Sequence, residues 1–421
     1  MFYNYPPWAL NLAKYLPSSL KKKLRKHPAL RKKLMGLTNF TRTREVDINK
    51  ILLGGDGYIS AFNYAILTDQ FLRPSTPIAN GPHVRLLQEY EKNPRLLDTE
   101  SFQNTPYHAN ILHCMKYTGH YFNSTKTKDT ITIAKAFLSS YETDKALQAQ
   151  GKKTSFDKEG VILLPIKYSS YYQLYDGHHK AAKAFMLGRK KIRALICKHP
   201  VVTPVQDLLL NVLWLEGRRE IYQPVDLPEV KEGWTLVRKC TDRLEGMKSF
   251  LKENRISAGS YLDIGCSYGW FVKGMQEEGM DAYGVDRDYF GRQVGLQVYG
   301  IQPEKFFLSD TVNFLEGQTR TFDVVSCLSI MHHYIMNDCG TSPEQLIKMI
   351  DAITGKVLFF ETAHPHEGSL KEKLHKWDEH YILGWLKENT RFKRVEIISR
   401  DGDGTGKFKN LYARTLFACT R

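Results

Sequence analysis

The sequence predicts an α/β protein in two parts, a Rossmann-like C-terminal half built on a largely parallel sheet and a separate N-terminal α+β domain. Three observations carry this. Ser260 to Asp288 reads SYLDIGCSYGWFVKGMQEEGMDAYGVDRD, a short apolar strand, a glycine-containing turn, a helix and a second strand ending in acid, which is half of a nucleotide-binding sheet. Val161 to Ile196 repeats a strand–turn–helix pattern, with Asp176-Gly177-His178-His179-Lys180 opening the helix. The length of 421 residues exceeds one ordinary core. The expected divisions are residues 1–43, a basic amphipathic segment; 44–200, the N-terminal domain; 201–235, a helical connector and linker; and 236–421, the C-terminal domain.

The net charge of +15 is unevenly placed: residues 1–44 hold eleven Lys and Arg and no acid, so 15 − 11 leaves +4 for the other 377 residues. The body of the chain is not strongly basic, which weakens any nucleic-acid reading built on charge alone. The seven cysteines are scattered without a C-x-x-C pair. That argues for a reducing compartment, with neither a disulfide framework nor a metal site. No run of 18 apolar residues is present, and the N-terminus lacks the features of a secretory signal. A cytoplasmic protein is expected.

Taken in order, the first segment places Trp8, Leu10, Leu12, Tyr15, Leu16, Leu20 and Leu24 among Lys21, Lys22, Lys23, Arg25 and Lys26, broken by Pro6, Pro7 and Pro17. Such a segment suits a membrane interface, with apolar side chains at headgroup level and lysines on anionic lipid. A peripheral place at the cytoplasmic membrane face is therefore expected for residues 1–43. An arm for an acidic partner or nucleic acid, or a solvated face, are the alternatives. Val46, Ile48, Ile51 and Leu52 suggest a strand or short helix, Gly54 to Gly57 a turn, and residues 83–97 a helix. His83, His108, His113 and His120 lack the i, i+4 pairing of a metal-binding helix, so hydrogen-bonded structural histidines are expected.

The turn at Asp176 follows a strand and opens a helix that stops at Gly188. A helix N-terminus carrying His179 and Lys180 is a physically sensible place for phosphate oxygens. This turn resembles the nucleotide-binding box of the ParB/sulfiredoxin-like superfamily, in which a D-G-H-H-R type turn contacts nucleotide phosphates. The resemblance implies phosphate contacts from Asp176, Gly177, His178, His179 and Lys180, with ATP and Mg as cofactors of a kinase-like activity. Asp176 or a carboxylate such as Glu89 would then take the proton of a hydroxyl. Lys180 replaces the more common Arg, so the charge stays and the bidentate geometry is lost. His178 stands where sulfiredoxins have their catalytic cysteine, which speaks against a sulfinic-acid reductase. Residues 201–235 follow, with a helix expected over Val205 to Tyr222 and a stiff linker over Gln223 to Pro228. Leu236 to Asn254 reads as an amphipathic helix leading into the C-terminal sheet.

In that sheet Tyr261, Leu262 and Ile264 read as a buried parallel strand, and Asp286 lies at the tip of the next one, where an acid accepts from a ribose diol. A dinucleotide turn is G-x-G-x-x-G; here the pattern is Asp263-x-Gly265-x-Ser267-x-Gly269, with an acid that repels pyrophosphate and suits an ammonium group. The pattern resembles motif I of the class I S-adenosylmethionine-dependent methyltransferases, with Ser267 where the family more often has glycine. Ser309-Asp310 after a third short strand, and Phe322 to Tyr334 (FDVVSCLSIMHHY) as the motif IV strand and its loop, extend the resemblance over roughly Val237 to Arg421. It implies a seven-stranded sheet, S-adenosylmethionine as cofactor, and cofactor contacts from Asp263, Gly265, Ser267, Gly269, Asp286, Asp310 and Ser326. Farther on, Pro343 to Ile353 is expected as helix, Val357 to Glu361 as strand, His364 to Gly368 as a ligand loop and Leu370 to Lys387 as helix. Arg394 to Ser399 with Ala413 to Phe417 close the sheet as a hairpin. Its turn, Asp401 to Gly406, reads as a hairpin loop rather than a phosphate cradle.

Methyl transfer from a sulfonium is an in-line displacement that rests mainly on positioning. A hydroxyl acceptor also has a proton to lose, and His332 or His333 is the expected general base. A phosphate acceptor needs no base, and the same histidines would bind it. Adjacent residues alternate in direction, so one of the two is expected to reach the site, with Tyr334 shaping the pocket. The pairing of the two resemblances implies an O-methyltransferase joined to an ATP-dependent kinase-like domain. Its acceptor would be a glycan, lipid-linked glycan or small molecule, modified at a hydroxyl or phosphate, as in the capping of a surface polysaccharide. The alternatives are a tRNA or DNA methyltransferase with residues 1–44 as a phosphate-binding arm, and a methyltransferase regulated by a nucleotide-sensing domain without turnover.

Overall fold

The computed structural model describes residues 43–53, 76–118, 121, 129–213, 216–336, 340–367, 372–409 and 411–421. The basic segment, except Thr43, lies outside them, as do the turn at residues 54–57 and His120. Residues 1–207 with 227–233 form one unit and residues 208–226 with 234–421 a second. The connector expected over residues 201–235 thus contributes to both units.

The first unit holds β1 (Arg44–Asp47), β2 (Ile51–Leu52), α1 (Pro82–Lys92), α2 (Pro106–Thr118), α3 (Thr130–Ala149), α4 (Ser155–Glu159), β3 (Val161–Pro165), β4 (Tyr172–Asp176), α5 (His178–Met186) and β5 (Lys191–Ile196). Its sheet runs β1-β5-β3-β4-β2, with β3 parallel to β5 and antiparallel to β4. The central β3 begins with three buried residues in succession, while β5 alternates exposed and buried, as strands covered on both faces and on one face respectively should. Asp129 caps α3 by accepting from Ile131 N and Thr132 N, and Thr154 with Asp157 forms a capping box on α4. Beneath the sheet-covering helices Lys183 Nζ pairs with Asp144 at 2.6 Å, both buried. Among the histidines, His83 Nε2 is hydrogen-bonded to the Tyr121 hydroxyl and His108 Nδ1 to Gln103 O, the structural roles expected of them.

The connector carries α6 (Pro204–Asn211), β6 (Glu220–Ile221), α7 (Pro228–Lys231) and β7 (Thr235–Leu236). The helix expected to reach Tyr222 ends at Asn211, because Leu213 N bonds Asp288 Oδ2 and residues 220–221 pair in parallel with residues 235–236.

The second unit then contains α8 (Thr241–Glu253), β8 (Ser260–Ile264), α9 (Trp270–Glu277), β9 (Asp281–Asp286), α10 (Tyr289–Val294), β10 (Phe306–Leu308), α11 (Thr311–Glu316), β11 (Phe322–Leu328), α12 (Met331–Ile335), α13 (Pro343–Ile353), β12 (Thr354–Glu361), α14 (Glu379–Asn389), β13 (Arg394–Arg400) and β14 (Thr415–Thr420). The seven strands run β10-β9-β8-β11-β12-β14-β13, parallel except for β14, which is antiparallel to both neighbours. The seven-stranded sheet and the closing hairpin are thus as expected. Strand order reverses between β8 and β11, which opens a crevice at the carboxyl ends of these strands. Alternation along the strands sends Leu262, Val325, Leu358 and Cys419 to one core and Tyr261, Val324, Phe359 and Ala418 to another. Two helices are shorter than their apolar patterns predict. Leu236 belongs to β7, so the helix starts at Thr241, and α14 begins at Glu379, where Asp378 caps it by accepting from Tyr381 N. Ahead of that cap Leu374 and Trp377 are buried in the core without forming helix, and Leu370 lies outside the described residues.

Candidate active site

A cavity of about 420 Å³ opens at the switch point of the second unit. Its walls come from the loops that follow β8, β9, β10 and β11, from Tyr412 and Arg414 ahead of β14, and from Val212, Leu213 and Tyr222.

One end is acidic and built of backbone. Gly265 and Ser267, both with positive φ (69° and 54°), fold the turn after β8 over the cavity, and a Cβ on Gly265 would come within 2.1 Å of Ile330 Cδ1. Asp286 ends β9 with Oδ2 accepting from Ser267 N at 2.8 Å and Oδ1 from Asp288 N at 2.9 Å. Burial raises its pKa against those two donors. Asp288 caps α10, accepting from Phe290 N and Gly291 N, and Asp310 caps α11, accepting from Val312 N. All three carboxylates line the cavity.

Three residues expected at the cofactor are not among those that line the cavity. Asp263 and Ser326 are register partners on adjacent strands, both buried, and Ser326 Oγ donates to Asp263 Oδ1 at 2.5 Å. Each satisfies the other inside the sheet, outside the cavity's lining, and burial lifts the Asp263 pKa to about 7. Gly269 starts α9 with φ 88°, and its missing side chain makes room for Ile301, whose Cδ1 would lie 2.4 Å from a Cβ. Packing against Ile301 accounts for a glycine at this position.

The other end holds the histidines. The segment after β11 forms α12, so His332 and His333 are set at the helical angle rather than on opposite sides, and both line the cavity, correcting the expectation that one would. Their ring centroids are 4.3 Å apart. His332 is 7% exposed and its Nδ1 has no hydrogen-bond partner. Burial, with Arg414 adding to it, holds its pKa well below the ordinary histidine value, so the imidazole is neutral at neutral pH.

Beside His332 lies a buried charge array that sequence reasoning missed. Glu361, at the end of β12, receives Arg238 Nη2 and Arg243 Nη1 on Oε2, each at 3.1 Å, and Arg414 Nη1 on Oε1 at 3.1 Å. Burial alone would raise its pKa, but the three guanidiniums drive it far below the carboxylate range. Arg414 Nε and Nη2 fork onto the two oxygens of Glu367 at 2.7 and 2.6 Å, and Arg238 also pairs with Asp401. Asp401 and Asp403 are buried, so the glycine-rich hairpin loop is an anchor for Arg238, with Gly402 N donating to Asp242. Gln223, expected in a linker, is buried too. Its Oε1 accepts from Tyr268 N and Trp270 N and its Nε2 donates to Cys266 O, clasping the turn after β8.

In the first unit, Gly177 precedes α5 in a left-handed conformation, as a turn residue should, but both histidines of the Asp176–Lys180 turn are buried. His179 Nε2 is bonded to the Tyr107 hydroxyl at 2.9 Å, and the Lys180 ammonium pairs with Glu159. Packing rather than solvent receives His178 and His179. Asp176 and Lys180 remain at the surface side of the turn, exposed and partly exposed.

Residues 238–395 match a family model described as a methyltransferase domain. The chain has no significant match among curated proteins. Among solved structures it is similar to WbdD, described as a bifunctional kinase-methyltransferase, at 18% identity over 51% of this chain and 46% of that one, with a TM-score of 0.41. It is also similar to the magnesium protoporphyrin IX methyltransferase of Synechocystis PCC 6803 with bound S-adenosylmethionine (18% identity, 42% and 78% covered, TM-score 0.31) and to the methyltransferase domain of a bacterial Hen1 (12%, 43% and 98%, 0.33). The chain spans under half the length of the WbdD chain it matches.

Proposed function

We propose that this chain, whose residues 238–395 match a methyltransferase-domain model, transfers a methyl group from S-adenosylmethionine to a hydroxyl of a small molecule or glycan end. The residues present fit that cofactor. Asp286 would accept from the ribose diol, Asp310 would hold the adenine, and the turn at Gly265 and Ser267 would hold the methionyl part. Three carboxylates suit a ligand that carries a sulfonium and an ammonium charge. When bound, the cofactor supplies an electrophilic methyl group. The protein orients the acceptor: His332 offers an unpartnered, neutral nitrogen in the cavity wall and His333 stands next to it.

The observation that favours a hydroxyl over a phosphate acceptor is the state of Arg414. It is the guanidinium lining the acceptor end, and its donors go to Glu361, Glu367 and Ser329. A phosphate would meet an arginine fork already filled by carboxylates. Labelled methyl transfer into cell extract, with and without ATP, tests the proposal. Label in the glycan or small-molecule fraction supports it, and label in RNA or DNA promotes the nucleic-acid reading with the basic arm.

The reading of residues 44–200 as ParB/sulfiredoxin-like, binding ATP with Mg, rests on the turn Asp176–Lys180 and is a separate proposal. It fails if Lys180→Ala leaves ATP binding and all ATP-dependent modification intact. Peripheral attachment to anionic membrane through residues 1–43 is tested by sedimentation with phosphatidylserine vesicles, with deletion of that segment abolishing the association. Among the described residues no helix is long and apolar enough to cross a membrane.

A further inference from the structure

We propose that Tyr222, rather than either histidine, takes the proton from the acceptor hydroxyl. This inference rests on the methyl-transfer reading above and names the base within the same cavity. Tyr222 directly follows β6, and the parallel pairing of β6 with β7 brings it beside Arg238, two residues beyond β7. The Tyr222 ring lines the acceptor end of the cavity together with Ser329, His332, Tyr412 and Arg414. Arg238 Nη1 donates to the Tyr222 oxygen at 3.0 Å, and that hydroxyl donates to Ser329 Oγ at 3.1 Å. Ser329 Oγ in turn donates to Glu361 Oε1 at 2.9 Å.

Two further features mark the arrangement as built for a charged oxygen. Ser329 is a non-glycine residue at φ 62°, a strained conformation that lets it line the cavity while its hydroxyl meets Tyr222, Arg238, Arg414 and Glu361. The two tyrosines of the cavity are also pushed apart. Tyr412, with its ring centroid 6.3 Å from that of Tyr222, is raised to about 12 by burial. For Tyr222 burial, and the nearby Glu361 carboxylate, act in the same direction, but Arg238, Arg243 and Arg414 outweigh them and bring the phenol below its ordinary value. Arg238 bonds the Tyr222 oxygen directly, whereas Asp401 and Asp403 meet Arg238, not the phenol.

A useful base titrates near the working pH. The Tyr222 oxygen is held by the Arg238 guanidinium, which favours its ionised form, whereas no group holds His332 Nδ1 and burial with Arg414 disfavours its protonation, so the phenol is the better base of the two. The step balances: the acceptor O–H proton passes to the ionised Tyr222 oxygen as the acceptor oxygen–methyl bond forms and the sulfonium–methyl bond breaks. The neutral thioether leaves, and Tyr222 later returns its proton to water.

The experiment compares wild type, Tyr222→Phe and Ser329→Gly, the last removing the hydroxyl while relaxing the backbone. Ultraviolet difference titration without any ligand is expected to reveal in wild type one tyrosine ionising below the ordinary tyrosine range. That component should vanish in Tyr222→Phe and move downward in Ser329→Gly, which removes the acceptor of the phenol's proton. In methyl transfer, Tyr222→Phe should lose about a hundredfold or more in kcat together with the rising alkaline limb, with S-adenosylmethionine affinity unchanged by calorimetry. Equal titration curves beyond one ordinary tyrosine, or a limb unmoved in both variants, would overturn the inference. Failure of wild type to bind S-adenosylmethionine would instead sink the methyl-transfer reading.

Discussion

Asp263→Asn separates the charge of the motif acid from its place in the sheet. Asp263 is buried on β8 with Ser326 as its hydroxyl donor, and burial lifts its carboxyl from 3.8 to about 7. Because the folded value lies above the unfolded one, the stabilising contribution is complete below about pH 3.8 and is lost as pH rises through about 7. The difference, 7 − 3.8 or about 3 pH units at about 1.4 kcal/mol each, corresponds to about 4 kcal/mol of stability lost across that window. Asparagine cannot ionise, so it removes the slope. It still accepts from Ser326 but brings an amide whose N–H groups lack a partner in that sheet, a loss of about 1–3 kcal/mol. The variant should therefore be less stable than wild type by about 1–3 kcal/mol at pH 4 and more stable by about 1–3 kcal/mol at pH 8. Urea unfolding across that range, followed by tryptophan fluorescence, reads the right unit, since the tryptophans among the described residues, Trp234, Trp270, Trp377 and Trp385, all belong to it. Midpoints that stay parallel from pH 4 to pH 8 would refute the reasoning.

Other perturbations test the remaining parts of the site. Glu361→Gln leaves three guanidiniums under-neutralised and should destabilise the second unit by about 3–5 kcal/mol at pH 7 in the same urea assay. Since the folded pKa of Glu361 is depressed, its contribution is present above the ordinary 4.5 and lost as pH falls, so the gap to wild type should narrow in acid. Asp286→Asn should weaken S-adenosylmethionine binding about tenfold to a hundredfold by calorimetry, the loss of one charge-assisted hydrogen bond. Gln223→Ala orphans the N–H groups of Tyr268 and Trp270; a fall of about 1–3 kcal/mol in stability is expected. Cofactor affinity should drop with it, because the loosened turn is the one that carries Ser267, and unchanged affinity would separate the clasp from binding.

The acidic end of the cavity was legible because local rules fix it. The apolar run at Tyr261 to Ile264, the glycine turn and the acid at Asp286 lie within one strand–helix–strand unit, and the structure returns that unit with Asp286 at the cavity. What was not legible there is side-chain direction. Asp263 faces Ser326 in the sheet because alternation along β8 and β11 points both to the same face, a relation visible only once the strands are paired. The acceptor end was illegible for the opposite reason. Arg238, Glu361, Asp401 and Arg414 are separated by up to 176 positions (414 − 238), and nothing in their local sequence distinguishes them from surface charges. Histidine direction was misjudged because the segment after β11 forms a helix, for which five residues give too little periodicity to recognise.

Stability alone does not account for the array. Burying Arg238, Arg243 and Arg414 with Glu361, Glu367, Asp401 and Asp403 incurs a large desolvation penalty, and apolar replacements of such clusters are commonly neutral or stabilising. What the cluster provides is a fixed field at one end of a cavity whose other end is acidic. Arg238 sets the charge at the Tyr222 oxygen, Glu361 holds Arg238, Arg243 and Arg414 in place, and Ser329 keeps its strained backbone at the point where they meet. A field of that kind stabilises charge that develops during a reaction without reorganising at that moment. It also explains why the hairpin loop Asp401 to Gly406, remote in sequence from every motif, carries two buried carboxylates: they hold Arg238 at the angle from which it reaches Tyr222.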